Sequence, residues 1–571
     1  MWSFWSRNPT KDFGCDILDL CNGFEEKSIW FLHKGKKKST GEEVSIFRFE
    51  CKQSNEDQFE KTKAAVKRLK TLRHPSFLPY IDSVETEKLV CVVTEAVEPL
   101  NVYLEKIKEC PNDEQQFSIS WGIHQVAVGL GFLINECNLR HNNIFMGSIF
   151  VNKAGCWKIG GLEYVTSATE DAYPYKHISA LEIYSPPERS DLSTRKVGPK
   201  WAEDSYGLGV LIWEVFNGSL TQKSALRSVG KLPKSLVPQY KQLINNIPDK
   251  RISPMDFVQA CRGPNRFLKN NFIDAMLFLE EIQIKEQTEK NRFLNHLNDQ
   301  INSFPKDICK NKILPQLVTA FEFSNAGSAI LGPLFTIGKM LDEDEYQKKI
   351  VPCIIKLFAC KDRATRAKLL QQIESFINYL QPNVVNEMVY PHVAQGFLDS
   401  NPTIREQTVK CMLHLAPKLN YNNLNEDMLK HFARLQSRDE EGGIRTNTTV
   451  CMGKIACHLH PQTRQTVLIP SFLRSMRDPF APARIAGILA LAATQNFYSL
   501  KDTATKIMPA LCHLTMDNEK SVRDQAFKAL KGFINKVEKV SEDPSLSEQM
   551  EADVNTSGNV SSTAISLFSI S

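Results

Sequence analysis

A proline recurring about every 39 residues in the second half of the chain constrains its fold more than any other feature. Ile-Leu-Pro315, Ile-Val-Pro352, Val-Tyr-Pro391, Leu-Ile-Pro470 and Ile-Met-Pro509 are separated by 37, 39, 79 and 39 residues. The 79-residue gap holds one further unit with His431 at the anchor position. Fourteen residues after each anchor from Pro352 onward stands an arginine: Arg366, Arg405, Arg445, Arg484 and Arg523. Eight residues after four of those five anchors stands an aspartate: Asp399, Asp439, Asp478 and Asp517. A period of this length with two helices per unit is the HEAT pattern. Each helix pair leaves an apolar face that only its neighbour can bury, so the units stack as a solenoid. The proline suits a first helical turn, where its missing N–H costs nothing. The repeated Asp and Arg are read as a structural ladder tying successive inter-helix turns together, because chemistry rarely recurs at every repeat.

Ahead of residue 265 the rhythm is different. Val44-Ser45-Ile46-Phe47-Arg48-Phe49 alternates like a strand, and Leu89-Val90-Cys91-Val92-Val93-Thr94 is a continuous apolar run fitting a buried strand. Between them, residues 58–73 have helical spacing, with Ala65, Leu69 and Leu72 on one side and lysines on the other. Composition leaves room for two cores: 571 residues allow roughly two to four domains, and 42% hydrophobic with 24% charged residues is ordinary for globular protein. A net charge of +5 does not announce a nucleic-acid binder. The 15 cysteines include no Cys-x-x-Cys pair, which argues against a zinc site or disulfide framework. Met1 to Phe13 lacks a secretory pattern, and the apolar stretch from Ala483 to Ala493 is short and contains Arg484. No membrane span is expected, and the reading is cytosolic.

Residues 25–262 carry the landmarks of a protein kinase in order. His74-Pro75 closes a helix. Leu139-Arg140-His141-Asn142-Asn143 sits where a catalytic loop should be, followed by Ile149-Phe150-Val151. Gly160-Gly161-Leu162 stands in place of Asp-Phe-Gly, and Pro186-Pro187-Glu188 in place of Ala-Pro-Glu. Asp204-Ser205-Tyr206-Gly207 with Trp213-Glu214 follows, and Arg251 stands where the late arginine pairs with the Glu188 position. The parts that perform phosphoryl transfer are absent. The stretch from His33 to Lys38, taken as the phosphate-covering loop, has one glycine. Phe47 replaces the strand lysine, Ala65 the helix glutamate, Asn143 the catalytic aspartate, Ser148 the metal-binding asparagine and Gly161 the metal-binding aspartate. An amide cannot take a proton from a hydroxyl, and glycine offers no hard oxygen to magnesium. No catalytic residue, cofactor or metal is therefore expected, while Glu188 and Arg251 are read as scaffold. The fold class is multidomain: a protein-kinase-like α+β bilobal domain followed by an all-α HEAT-repeat solenoid. The expected division is a pseudokinase domain at 1–264, a helical connector at 265–305, the solenoid at 306–540 and a tail at 541–571. The tail has nine serines, five acidic residues and no lysine or arginine, a disordered composition. It contains a glycosylation sequon, Asn555-Thr556-Ser557, without meaning in a cytosolic chain.

From Lys34 to Arg73 there are twelve Lys or Arg against six Asp or Glu. Lys63, Lys67 and Lys70 share one helix face, which reads as a docking site for an acidic partner, phosphoinositide or RNA, or as a solvated face. Charge runs are more often solvated.

Read together, the kinase landmarks and the solenoid resemble the Scy-like pseudokinases. The stretches that carry the resemblance include those beginning Lys70-Thr71-Leu72, Val92-Val93-Thr94, Phe278-Leu279-Glu280, Arg405-Glu406-Gln407 and Ser521-Val522-Arg523. It runs from about Arg7 to Pro544. The resemblance implies a scaffold or adaptor in vesicle trafficking, peripheral at the Golgi and ER-Golgi intermediate compartment. There it would serve COPI-mediated Golgi-to-ER retrograde transport, with coat components and Arf-type small GTPases as protein partners and membrane association through them. Fungal relatives are linked to tRNA export, so a tRNA-binding export adaptor stays open, as does a kinase with a non-standard mechanism. One departure concerns the end of the chain: vertebrate members finish in a basic coatomer-binding motif, whereas Ser566 to Ser571 contain no basic residue. Coatomer contact through these residues is not expected.

Overall fold

The computed structural model describes residues 13–554 apart from 22–26, 53–54, 171–173, 190–197, 325–326 and 361. The sequon and the chain end at 566–571 lie outside the described residues. The chain divides into two compact units, Met1–Asn325 and Ala326–Ser571.

The first unit begins with an antiparallel five-stranded sheet in the order β1-β2-β3-β5-β4. Its strands are β1 (Cys15–Leu20), β2 (Phe31–Lys37), β3 (Glu43–Glu50), β4 (Tyr80–Glu85) and β5 (Leu89–Glu95). The alternation of β3 divides it between two faces. Val44 and Ile46 join Phe13, Cys15, Cys91 and Val93 in a core on one side, and Ser45, Phe47 and Phe49 point to the other. Helix α1 (Glu56–Thr71) packs there through Ala65, Val66 and Leu69, with Glu56 and Asp57 in its first turn and Arg68 and Lys70 in its last. That distribution complements the helix dipole. It ends at Thr71, three residues before His74, with Leu72 extended. One expectation is corrected here. Residues 33–38 are not a loop over phosphates: 33–37 lie within β2, and 38–42 form the turn to β3. The connection between the first two strands is instead 21–30.

A short β6 (Val97–Pro99) leads into the helical lobe, through α2 (Leu100–Ile107) and α3 (Asn112–Asn135). The two-residue β7 (Leu139–Arg140) follows, then β8 (Ile149–Asn152) and β9 (Trp157–Ile159). After them come α4 (Ala202–Asn217), α5 (Val237–Leu243) and α6 (Pro254–Cys261). By length and composition α3 could cross a membrane, contrary to the sequence reading, but 78% of its apolar window is buried inside the lobe. It is the core helix, packed against α4, α6 and β9. The lobe is pinned by a buried pair: Arg251 donates to both Glu188 oxygens at 2.6 and 2.7 Å, to Asn245 O and to Ala202 O.

The unit boundary lies beyond the expected connector at 265–305. Its helices α7 (Asn271–Glu280) and α8 (Gln287–Gln300) belong to the first unit, as does the chain that follows them to 325. Phe117 of α3 meets Phe272 at 5.4 Å and Phe304 at 5.8 Å. Asn311 Nδ2 donates to Lys153 O, and Ile308 fills the space where Gly155, at φ +68°, would carry a side chain.

The second unit is helical throughout its described residues and shows the ladder in detail. Nε and Nη2 of Arg405, Arg445 and Arg484 reach the carboxylates of Asp439, Asp478 and Asp517 in the following repeat, at 2.8–3.1 Å. Nη1 of each straps carbonyls of its own turn, including those of Asp399, Asp439 and Asp478, and Arg523 does the same to Asp517 O. The aspartates also accept the backbone N–H two residues on, fixing the start of the next helix. The first rung is looser, with Arg366 at 3.9 Å from Asp399.

Pro352, Pro391 and Pro509 stand in the first turns of Val351–Ala359, Tyr390–Ala394 and Met508–Leu514, as their spacing suggested, but not every anchor opens a fresh helix. Pro315, Pro391 and Pro509 each follow a single wide π-turn, at Cys309–Ile313, Val385–Val389 and Thr503–Ile507, and Pro470 lies inside the helix Pro461–Ser475. A proline within a helix lacks one N–H and clashes with the carbonyl four residues back, so a widened turn just before it relieves the strain. The tail also differs from expectation. The helix Lys520–Glu542 runs past Ser541, and Leu546–Val554 is helical, with Glu551 accepting from Leu500 N. Residues 555–571 lie outside the described residues.

Candidate functional site

The inner face of β3, the inner face of α1 and the loops after β7 and β9 enclose a cleft between sheet and helical lobe. Phe47 occupies its centre. The ring is 6% exposed, meets Phe150 edge-on at 5.1 Å and lies 6.4 Å from Trp30. Ala65, 1% exposed, and Leu69 close the α1 side. The remaining cavity is about 30 Å3, room for one or two waters.

The floor is locked by its own hydrogen bonds. Asp204, fully buried in α4, accepts from His141 N and Asn142 N, both at 2.8 Å. Burial pushes its carboxyl up, and these two amides pull it back only in part. Burial pushes the His141 imidazole down to about 3, so the ring is neutral at physiological pH. Its Nε2–H donates to Gly160 O at 2.8 Å, leaving Nδ1 to accept from Asn143 N. Asn142, at φ +62°, donates from Nδ2 to Tyr164 O and Thr166 Oγ1. The Ser148 hydroxyl turns back on its own loop, donating to Phe145 O and accepting from Phe145 N. Gly161 sits at φ +67°, and a Cβ there would lie 3.0 Å from Ser148 Cβ and 3.3 Å from Asn143 Nδ2. Left-handed backbone and a crowded cradle both favour glycine. Asn143 Oδ1 and Glu163 Oε2 are buried without a hydrogen-bond partner. Burial raises the Glu163 carboxyl. Lys27, at the mouth, donates to Tyr184 Oη at 2.7 Å.

The structure brings Phe47, Ala65, Asn143, Ser148 and Gly161 around one cavity. Ser45, which sequence reasoning missed, lies beside this cavity on the wall of a neighbouring groove. Its Oγ accepts from Val97 N at 2.9 Å and donates to Val97 O at 3.1 Å, occupying both backbone groups on the segment joining the lobes. The available signal was a small hydroxyl two residues before Phe47, hence on the same strand face. Among the described residues no group of three or more His, Cys, Asp or Glu could hold a metal ion. The lysine face of α1 is partly neutralised: Lys63 pairs with Glu60 and lies over Phe59, and Lys70 sits 3.7 Å from Glu85 and over Tyr80. Lys67 has no ion pair among the described residues.

Residues 27–243 match the protein tyrosine and serine/threonine kinase family. A Dictyostelium discoideum protein named probable inactive serine/threonine-protein kinase scy1 is 38% identical, over 96% of this chain and 67% of that protein. The protein kinase domain-containing protein ppk3 of Schizosaccharomyces pombe is 25% identical, over 89% of this chain and 78% of that protein. The crystal structure of Cex1p has the same fold at 23% identity, with a TM-score of 0.64, covering 94% of this chain and 98% of that one.

Proposed function

This chain belongs to the Scy1-like family of pseudokinases, and from that premise we propose that it is a protein-binding scaffold in COPI-mediated Golgi-to-ER retrograde transport. The observation that carries the non-enzymatic part is the cleft filled by Phe47 against Phe150 and Trp30. In this reading Phe47 takes the place of the lysine that orients phosphates, and Ala65 that of its glutamate partner. Asn143 takes the place of the base, and Ser148 and Gly161 remove the magnesium ligands. Two of the charge contacts that hold ATP in a working site, the strand lysine and the metal, are then gone together. What persists is the lobe's framework: Asp204 under the loop and Arg251 on Glu188.

Calorimetry of the full chain with millimolar ATP and magnesium is expected to give no saturable heat, and kinase assays no transfer to itself or to generic substrates. Saturable binding tighter than about 100 μM, roughly −5.5 kcal/mol on the affinity scale, would return the enzyme reading. Coat components, Arf-type GTPases and Golgi or ER-Golgi intermediate compartment localisation follow from the family resemblance, and affinity purification from cells tests them. Recovery of coat subunits and Arf-type GTPases is the expected result. Recovery of tRNA without them, with a steep salt dependence, would replace the trafficking reading by the export-adaptor one.

A further inference from the structure

A second concavity lies on the same unit, outside the filled cleft. Its volume is about 330 Å3, against about 30 Å3 for the cleft, which places it among small-ligand sites. One wall is the outer end of β2 and β3. Lys34 and Lys36 are two apart on β2, so they share a face, and they stand opposite Ser45 and Glu43 of β3. The other wall is the segment 96–98, Lys106 of α2 and Lys153 after β8. Four ammonium groups and two carboxylates therefore line the groove. Lys153 Nζ is 2.6 Å from Glu43, and Lys106 is bonded to Glu98. Lys34 and Lys36 have no ion pair among the described residues; Lys36 stands between Asp16 of β1 and Glu43 of β3, and Lys34 faces the neutral Ser45, so the groove keeps a net positive charge. Glu43 responds to this field. Its carboxyl lies below the ordinary value, first through Lys153 and then through Lys36 and Lys34.

We propose that this groove binds a phosphorylated polyol carrying two or more phosphate groups. Lysine ammonium groups bind phosphate as point charges, and two unpaired ones on one strand face suit two phosphates better than one. The carboxylates of Glu43 and Glu98 among the lysines are acceptors for hydroxyls, a pairing that a polyol phosphate satisfies and a bare polyanion does not. A nucleotide fits poorly. The walls present no aromatic face to stack a base, and both backbone groups of Val97, the nearest edge a base might pair with, are held by Ser45 Oγ. The site is independent of the scaffold reading, since none of its cations belongs to the cleft.

The test uses the full chain. Inositol trisphosphate and ADP are titrated by calorimetry, and phosphatidylcholine vesicles with and without phosphatidylinositol bisphosphate are sedimented with the protein. Saturable trisphosphate binding is expected, weakened by about tenfold or more in Lys34→Ala/Lys36→Ala and unchanged in Lys63→Ala/Lys67→Ala. Binding of the soluble probe identifies a free ligand. Capture by the bisphosphate vesicles alone, with the same dependence on Lys34 and Lys36, identifies a lipid headgroup. Should the strand variant melt early, Lys153→Ala reads the same loss from the opposite wall. The proposal is overturned if neither probe binds, if binding survives removal of both strand lysines, or if ADP binds as tightly.

Discussion

Arg251→Ala is expected to destabilise the kinase-like unit by about 3–5 kcal/mol, the cost of breaking a buried ion pair by removing one partner. The Arg251 side chain is 0% exposed and that of Glu188 is 7% exposed. The substitution deletes two bonds to the carboxylate and two to the carbonyls of Asn245 and Ala202, and takes the guanidinium off the Tyr206 ring at 5.0 Å. It leaves the buried Glu188 carboxylate without its guanidinium partner. The pair joins the short turn at residues 187–189 to the approach to α6, so both loosen together. All seven tryptophans precede residue 214, and Trp201 Nε1 donates to Arg251 O. Tryptophan fluorescence in urea therefore follows this unit alone. The midpoint should fall with an unchanged slope. Arg251→Met with Glu188→Gln should recover part of the loss, since the cost lies in the orphaned charge more than in the pair. A fluorescence midpoint unmoved by Arg251→Ala would show that the pair does not hold the lobe.

The parts of the molecule that were legible in the sequence are those whose physics demands a particular residue at a particular spacing. A carboxylate accepting two backbone amides (Asp204), a buried fork and acceptor (Arg251 and Glu188) and a rung recurring once per repeat (Arg445 and Asp478) leave an identifiable residue type at a fixed place. Phe47, Asn143, Ser148 and Gly161 could be located from that frame. Features that depend on what packs nearby were not legible. The connector helices join the first unit because Phe272 and Phe304 meet Phe117, a contact more than 150 residues long that no local pattern encodes. The same blindness hid the Ser45 clasp on Val97. The stretch 33–38 looked like a glycine loop because one glycine among lysines suits a turn as well as a strand; pairing with β3 decides between them. The wide turns before the prolines escaped because proline spacing marks where helical strain falls, not how the backbone absorbs it. Residues 541–554 were misread from serine content: Lys520–Glu542 runs through Ser541, and Leu546–Val554 is a short helix.

Arg445→Ala should lower the melting temperature of the solenoid unit and leave the tryptophan transition in place. The Arg445 side chain is 14% exposed and that of Asp478 is 8% exposed, so the pair lies between a surface bridge and a buried one. Its loss removes two charge-assisted bonds across repeats and the strap on the Asp439 and Glu440 carbonyls. A cost of about 2–4 kcal/mol follows, or about 4–16 °C for a unit of this size, read by far-UV circular dichroism. The pH dependence separates charge from packing. Burial raises the Asp478 carboxyl, but the bond from Arg445 and the Phe480 amide outweigh it, so in the folded chain the group titrates below its ordinary value. The unfolded chain then binds more protons than the folded one as pH falls, and stability rises with pH across that range. The contribution is complete above the ordinary aspartate value of about 3.9 and disappears as pH drops through the lower folded value. Asp517, held down by Arg484, adds a contribution of the same sign. The gap between the native chain and Arg445→Ala should be widest near neutrality and close as the solution is acidified below about pH 4. A gap that stays constant to lower pH would assign the loss to the packing of the arginine stem, and the ladder would then be a steric spacer and not an electrostatic tie.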